Sequence, residues 1–210
     1  VCTSVEIPGE GYVYRYNAFA DTLTPASHEM ELCLAPYESA VFVMSETELE
    51  CTGEACGQIT ERNSGKYGER ELPEAWTVRY ADSLSYPDWT DEVPLTGLDC
   101  VENIEGWDNK CGTLRYETKL DASAGEETIL DLGETYETAE VFVNGKSAGV
   151  RICKPYRFDL TGLLQDGEND LAVEVTNTLG TAVRDALSHY LVIEPFGVQG
   201  PARLLVRDKK

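Results

Sequence analysis

Leu114, Tyr116, Thr118 and Leu120 alternate with Thr113, Arg115, Glu117 and Lys119. A period of two sends one set to a core and the other to water, which predicts a half-buried β-strand. The pattern returns at Ala139, Val141 and Val143, meets Asn144-Gly145, and continues into a second arm ending at Val150. Asn-Gly is the strongest short hairpin signal, because both turn residues accept positive φ. Leu171, Val173 and Val175 alternate after the turn-forming Asp166-Gly167, Ile129 to Gly133 is a short apolar run, and Ala202 to Val206 predicts a last strand. Nearer the start, Gly11 to Phe19 and Met30 to Met44 read as strands, with Pro36 interrupting the second. Ala182 to Tyr190 is the one stretch that suits a short helix. Short strands spaced by turns, without interposed helices, indicate an all-β antiparallel sandwich rather than a βαβ fold.

A polar stretch from Glu46 to Glu71, carrying Gly53, Gly57, Gly65 and Gly68, separates two blocks of strand-like sequence. The predicted organisation has three parts. Residues 1–50 are strands that close an upstream β domain or add to the following sandwich; 51–72 are a polar linker or loop; 73–210 are the sandwich. Three or so strands cannot stand as a sandwich by themselves.

The 210 residues carry 38 acidic and 17 basic side chains, a formal net charge of -21. Such a charge repels nucleic acid and anionic membrane surfaces, so neither is an expected partner. No apolar stretch approaches the roughly 20 residues of a membrane-spanning helix. The chain opens on Val1 without a basic and apolar leader pattern, which reads as a processed or excised segment. Seven cysteines leave at least one unpaired within the chain, and none stand in a C-x-x-C pair or at zinc-finger spacing. Buried thiols in a reducing cytoplasm are the favoured reading. A Cys51–Cys56 or Cys100–Cys111 disulfide belongs to the alternative of a cell-surface or secreted chain.

The runs Ala139-Glu-Val-Phe-Val-Asn-Gly145, Lys154-Pro-Tyr-Arg-Phe-Asp-Leu160 and Asp166-Gly-Glu-Asn-Asp-Leu-Ala-Val-Glu-Val-Thr-Asn177 resemble the galactose-binding-like jelly-roll domain of family 2 glycoside hydrolases. The likeness extends to Trp76, Gly112 to Tyr116, Leu130-Asp-Leu-Gly133, and an ending Phe196-Gly-Val-Gln-Gly-Pro-Ala-Arg-Leu-Leu205 similar to modules of rhamnosidase-like glycosidases. It covers about Pro73 to Arg207. The resemblance implies a galactose-binding-like jelly roll with extra N-terminal strands. It also implies a non-catalytic module that supports a catalytic domain and/or binds carbohydrate, with the sugar and that catalytic domain as partners.

Glycosidase chemistry needs two carboxylates held at a set separation. Picking Glu117 and Glu140 from so many acids is arbitrary, and Asp185, Ser188 and His189 lack a nucleophile elbow, so no catalytic residue is assigned. Sugar binding needs less: an aromatic ring against a pyranose face and planar polar groups for its hydroxyls. Trp89 and Trp107 lie in polar, turn-rich segments, and Tyr156, Arg157 and Arg151 surround Pro155. These five are the candidate carbohydrate-binding residues. No cofactor is certain; a structural calcium is left open, with Asp88, Asp91, Asp108 and Asp121 among the oxygen donors. An autonomous lectin-like module and a protein-interaction module are the alternatives.

Overall fold

The computed structural model describes residues 2–19, 21–34, 36–52, 67–98, 104–105, 107, 110–182 and 194–208. Contacts divide the chain into two units, Val1–Lys66 and Tyr67–Lys210. No helix among the described residues is long and apolar enough to cross a membrane.

The first unit holds β1 (Cys2–Glu6), β2 (Tyr12–Asn17), β3 (Thr22–Ala26), β4 (Glu29–Cys33) and β5 (Val41–Ser45). β1 and β4 form a two-stranded ribbon, and β3-β2-β5 a three-stranded sheet. Cys2 stands directly opposite Cys33 in the ribbon, and the two form a disulfide. Cysteine spacing does not mark this pairing, since the two stand 31 positions apart and only the register of β1 on β4 brings them together. Cys51, Cys111 and Cys153 are thiols, while Cys56 and Cys100 lie outside the described residues.

The second unit holds β6 (Gly68–Arg70), β7 (Ala75–Asp82), β8 (Val93–Thr96), β9 (Gly112–Ala122), β10 (Glu126–Asp131) and β11 (Glu134–Tyr136). It continues with β12 (Thr138–Val143), β13 (Lys146–Arg151), β14 (Arg157–Asp159), β15 (Gly167–Thr176), a 3-10 turn at Leu179–Thr181, β16 (Gly197–Gly200) and β17 (Arg203–Asp208). The helix read at Ala182 to Tyr190 lies, after its first residue, outside the described residues.

A six-stranded sheet runs β13-β12-β15-β9-β7-β8, a four-stranded one β14-β10-β17-β6, and β11 pairs with β16. Every strand pairing is antiparallel, so the all-β antiparallel sandwich expected from the alternation is what the chain forms. One core joins the two large sheets. Val78, Leu114, Tyr116, Val141, Leu171 and Val173 come from the larger sheet, and Leu130, Phe158 and Leu204 from the smaller. Each large apolar side chain buried there contributes about 1.5–3 kcal/mol.

Two turns show why particular residues are needed. Asn144 and Gly145 both take positive φ, 51° and 77°, and close the β12–β13 hairpin. At Gly133 (φ 66°) a Cβ would lie 2.7 Å from the Gly200 carbonyl carbon, so only glycine lets these backbones meet. The edges of the larger sheet are irregular: β13 meets β12 through a register shift at Val141/Phe142, and β8 carries the exposed Pro94.

Candidate functional site at one end of the sandwich

Strand register puts the candidate residues at a common end of the second unit. Asp82 pairs with Gly112, Thr113 with Thr176, Thr138 with the same Thr176, and Ala139 with Arg151. These residues mark one end of the larger sheet. In the smaller sheet the corresponding strand ends are Asp131, Arg157 and Arg203. The two ends are tied together around Tyr156, whose carbonyl accepts from the Leu132 amide at 3.0 Å and whose hydroxyl donates to the Glu137 carbonyl. The Glu137 amide in turn donates to Thr176 O at 3.1 Å. The connections β7–β8, β9's approach, β11–β12, β13–β14 and the segment after β15 therefore share this end.

Within that end the five candidates play different parts. Tyr156 is 5% exposed, and burial pushes its hydroxyl up to about 12. It is a core residue with a bonded tip. Trp107 packs on the core with its ring 6.0 Å from that of Tyr80, tilted by 53°. Arg151 lies 5.5 Å over the Phe158 ring and donates to the Val150 carbonyl at 2.8 Å. Arg157 sits on Oδ2 of Asp131 at 3.0 Å, with Arg203 3.7 Å from the same oxygen. Planar stacking and carboxylate pairing are what guanidinium groups do best, and here both partners belong to the fold.

Trp89 is half-buried and stands outside the core cluster. Its connection is anchored by the Thr90 amide donating to Tyr80 O at 2.8 Å and the Thr90 hydroxyl accepting from the Tyr80 amide at 3.0 Å. Next to it Tyr86 makes an edge contact with the Trp89 ring, centroids 5.6 Å apart and planes at 75°. Tyr86 is 52% exposed, and its hydroxyl donates to Glu174 Oε2 at 3.3 Å on the outer face of the larger sheet. Glu174 also holds Arg115 at 2.5 Å, so the ring stands over an ordered ionic lattice. Sequence reasoning passed over Tyr86, although its Tyr-Pro-Asp-Trp setting is as turn-rich as that of Trp89.

In β11 Glu134 accepts from Lys154 and, at 3.1 Å, from the Tyr136 hydroxyl. Lys154 first, then Tyr136, hold the Glu134 carboxyl below its usual range. At the end of β7 the Asp82 carboxylate accepts from the Leu84 amide and the Tyr80 hydroxyl, each at 3.0 Å, and these bonds hold it low as well. Lys110 lies 5.1 Å over the Tyr80 ring. This end thus offers half-exposed aromatic faces flanked by ionised carboxylates, a set suited to hydrogen-bonding hydroxyl groups.

Among the described residues the one group of three metal-type donors within 4.8 Å of one another is Cys2, Glu31 and Cys33, of which the cysteines are disulfide-bonded. Asp88 and Asp91 are exposed beside Trp89, Asp121 lies at the other end of β9, and Asp108 is outside the described residues.

No family model matches the chain. A protein of Formosa agariphila described as a β-glucuronidase is 33% identical over 111 residues, 50% of this chain and 10% of that protein. The rhamnosidase of Novosphingobium sp. PP1Y superposes on 97% of this chain with a TM-score of 0.65 and 21% identity, using 21% of its own length. A β-glucuronidase of Ruminococcus gnavus, in complex with D-glucuronic acid, matches 68% of the chain (TM-score 0.53, 14% identity) over 30% of its length. The chain therefore spans about a tenth of the curated relative and less than a third of these solved structures. What it shares with them is an all-β antiparallel sandwich fold that, in each, is a fraction of a larger glycosidase.

Proposed function

We propose that the chain is a non-catalytic accessory module of a glycoside hydrolase-like polypeptide, a galactose-binding-like jelly roll that supports a catalytic domain and binds carbohydrate at the loop-bearing end. The observation that carries this reading is proportion: 97% of the chain corresponds to only 21% of a rhamnosidase. A segment that recurs as one part of such an enzyme has its role beside a catalytic domain, and barrel chemistry needs more chain than this. The Cys2–Cys33 disulfide favours an oxidising compartment, hence a cell-surface or secreted parent.

The Tyr86–Trp89 pair favours the sugar-binding half of the proposal. A half-exposed aromatic edge above ionised groups offers a pyranose one apolar face and several acceptors. The test is a glycan array probed with the folded chain, with and without calcium, beside an aryl-glycoside hydrolysis assay. Saturable retention without hydrolysis supports the reading. Turnover by the isolated chain would sink the accessory role, and a folded chain retained by no glycan would leave scaffolding alone.

A further inference from the structure

We propose that the glycan accepted at this end is uncharged, and that the module excludes uronate-bearing polysaccharides. This rests on the sugar-binding reading above and names its ligand class. At physiological salt the screening length is about 8 Å, so the local set of charges decides which ligands approach, not the total of -21. Around Trp89 the β7–β8 connection and its ends carry Asp82, Asp88, Asp91 and Glu92. The β11–β12 side of this end carries Glu134 and Glu137, with Glu194 in electrostatic reach of Tyr136. Against these, the described residues of the connections supply Lys110 and Lys154.

The cations described near this end are engaged by the protein itself. Lys154 bonds Glu134, and Lys110 covers the Tyr80 ring. Arg157 and Arg203 share Asp131 on the smaller sheet, and Arg151 lies over Phe158. Beneath Tyr86, Arg115 holds Glu117 and Glu174, while Arg79 holds Glu92 at 2.6 Å and Glu117 at 3.0 Å. A uronate carboxylate approaching the Tyr86–Trp89 edge would meet exposed Asp88 and Asp91, and the β7–β8 connection that carries them holds no lysine or arginine between Asp82 and Val93. A sugar hydroxyl meets the same carboxylates as strong acceptors. The arrangement that repels an acidic glycan therefore attracts a neutral one.

Affinity electrophoresis of the whole chain through gels containing xyloglucan, galactomannan or arabinan, or polygalacturonate or glucuronoxylan, tests this at low and raised salt. The expected result is retardation by at least one neutral polymer, altered less than about twofold by salt, and none by the uronate polymers at low salt. The Tyr86→Ala, Trp89→Ala double variant, shown folded by circular dichroism, loses that retardation. Retention by a uronate polymer at low salt, fading as salt rises, overturns the exclusion while leaving sugar binding intact. Retention by no polymer overturns the sugar-binding reading itself, and this inference with it.

Discussion

Asn144 and Asn169 are bonded to each other across the edge of the larger sheet, Nδ2 of Asn144 donating to Oδ1 of Asn169 at 2.8 Å. The Asp170 amide returns a bond to Asn144 Oδ1 at 2.9 Å, and Asn169, 1% exposed, also donates to the carbonyls of Gln165 and Gly167. The hairpin turn and the strand motif 25 residues later thus form one polar joint. Replacing Asn169 with Leu strands several buried groups at once. A loss of about 2–4 kcal/mol is expected in urea unfolding, against about 1 kcal/mol for Asn144→Ala.

Asp131 anchors two arginines, Arg157 and Arg203, on the smaller sheet. Its side chain is 9% exposed, whereas that of Arg203 is 40% exposed, which places the cost of losing the charge at the lower end for a buried pair. Asp131→Asn is expected to cost about 2 kcal/mol. An unchanged unfolding midpoint would show that water already satisfies both guanidinium groups.

In the first unit both ring nitrogens of His28 face carbonyl oxygens, Ile7 O and Gly11 O, each at 2.9 Å. A carbonyl only accepts, so this pair of contacts favours the doubly protonated ring, in which both nitrogens donate. The two bonds, Ile7 first, raise its pKa above the ordinary imidazole value. With the folded value above the unfolded one of about 6.5, the stabilisation is complete below about pH 6.5 and is lost as pH rises through the folded value. The pH dependence of unfolding of the native chain minus that of His28→Gln isolates this contribution, and an NMR titration of the ring reads the folded pKa directly.

Trp89 and Trp107 are expected to separate. Trp107→Ala removes a ring from the core and from Tyr80, costing about 2–3 kcal/mol. Trp89→Ala leaves the core alone, so stability changes by under about 1 kcal/mol while glycan retention falls. Equal stability losses for both would count against Trp89 as a ligand-facing residue.

The Cys2–Cys33 bond closes a loop of 31 residues, worth about 3–4 kcal/mol through the unfolded chain. Reduction, or Cys33→Ser, is expected to speed hydrogen exchange in peptides from the first unit and leave those from β9 and β15 unchanged.

Much of the sandwich was legible because its strands lie half in a core. Leu114 to Leu120 alternates strictly, Leu171, Val173 and Val175 recur at the same period around Ala172 and Glu174, and both runs became long central strands. The short strands were harder to see. β3 contains Pro25, and β11 and β16, of three and four residues, depend on pairing with each other far along the chain. In Met30 to Met44, Pro36 did mark a break, and β4 and β5 lie on either side of it in different sheets. The candidate end was partly legible. Aromatic and arginine side chains in turn-rich segments do gather there, but whether a ring faces water or the core depends on depth beneath neighbouring strands, which spacing does not record. Tyr156 turned in, and Tyr86 out.

Pro94 and the register shift beside β13 lie on the two open borders of the larger sheet. In a long polypeptide, β modules are tethered at high effective concentration and would zip together through any straight, fully equipped border strand. A border residue without an N–H and a border strand bent out of step deny such neighbours a template. Sheet borders finished in this way let the sandwich stand beside other β structure without pairing to it.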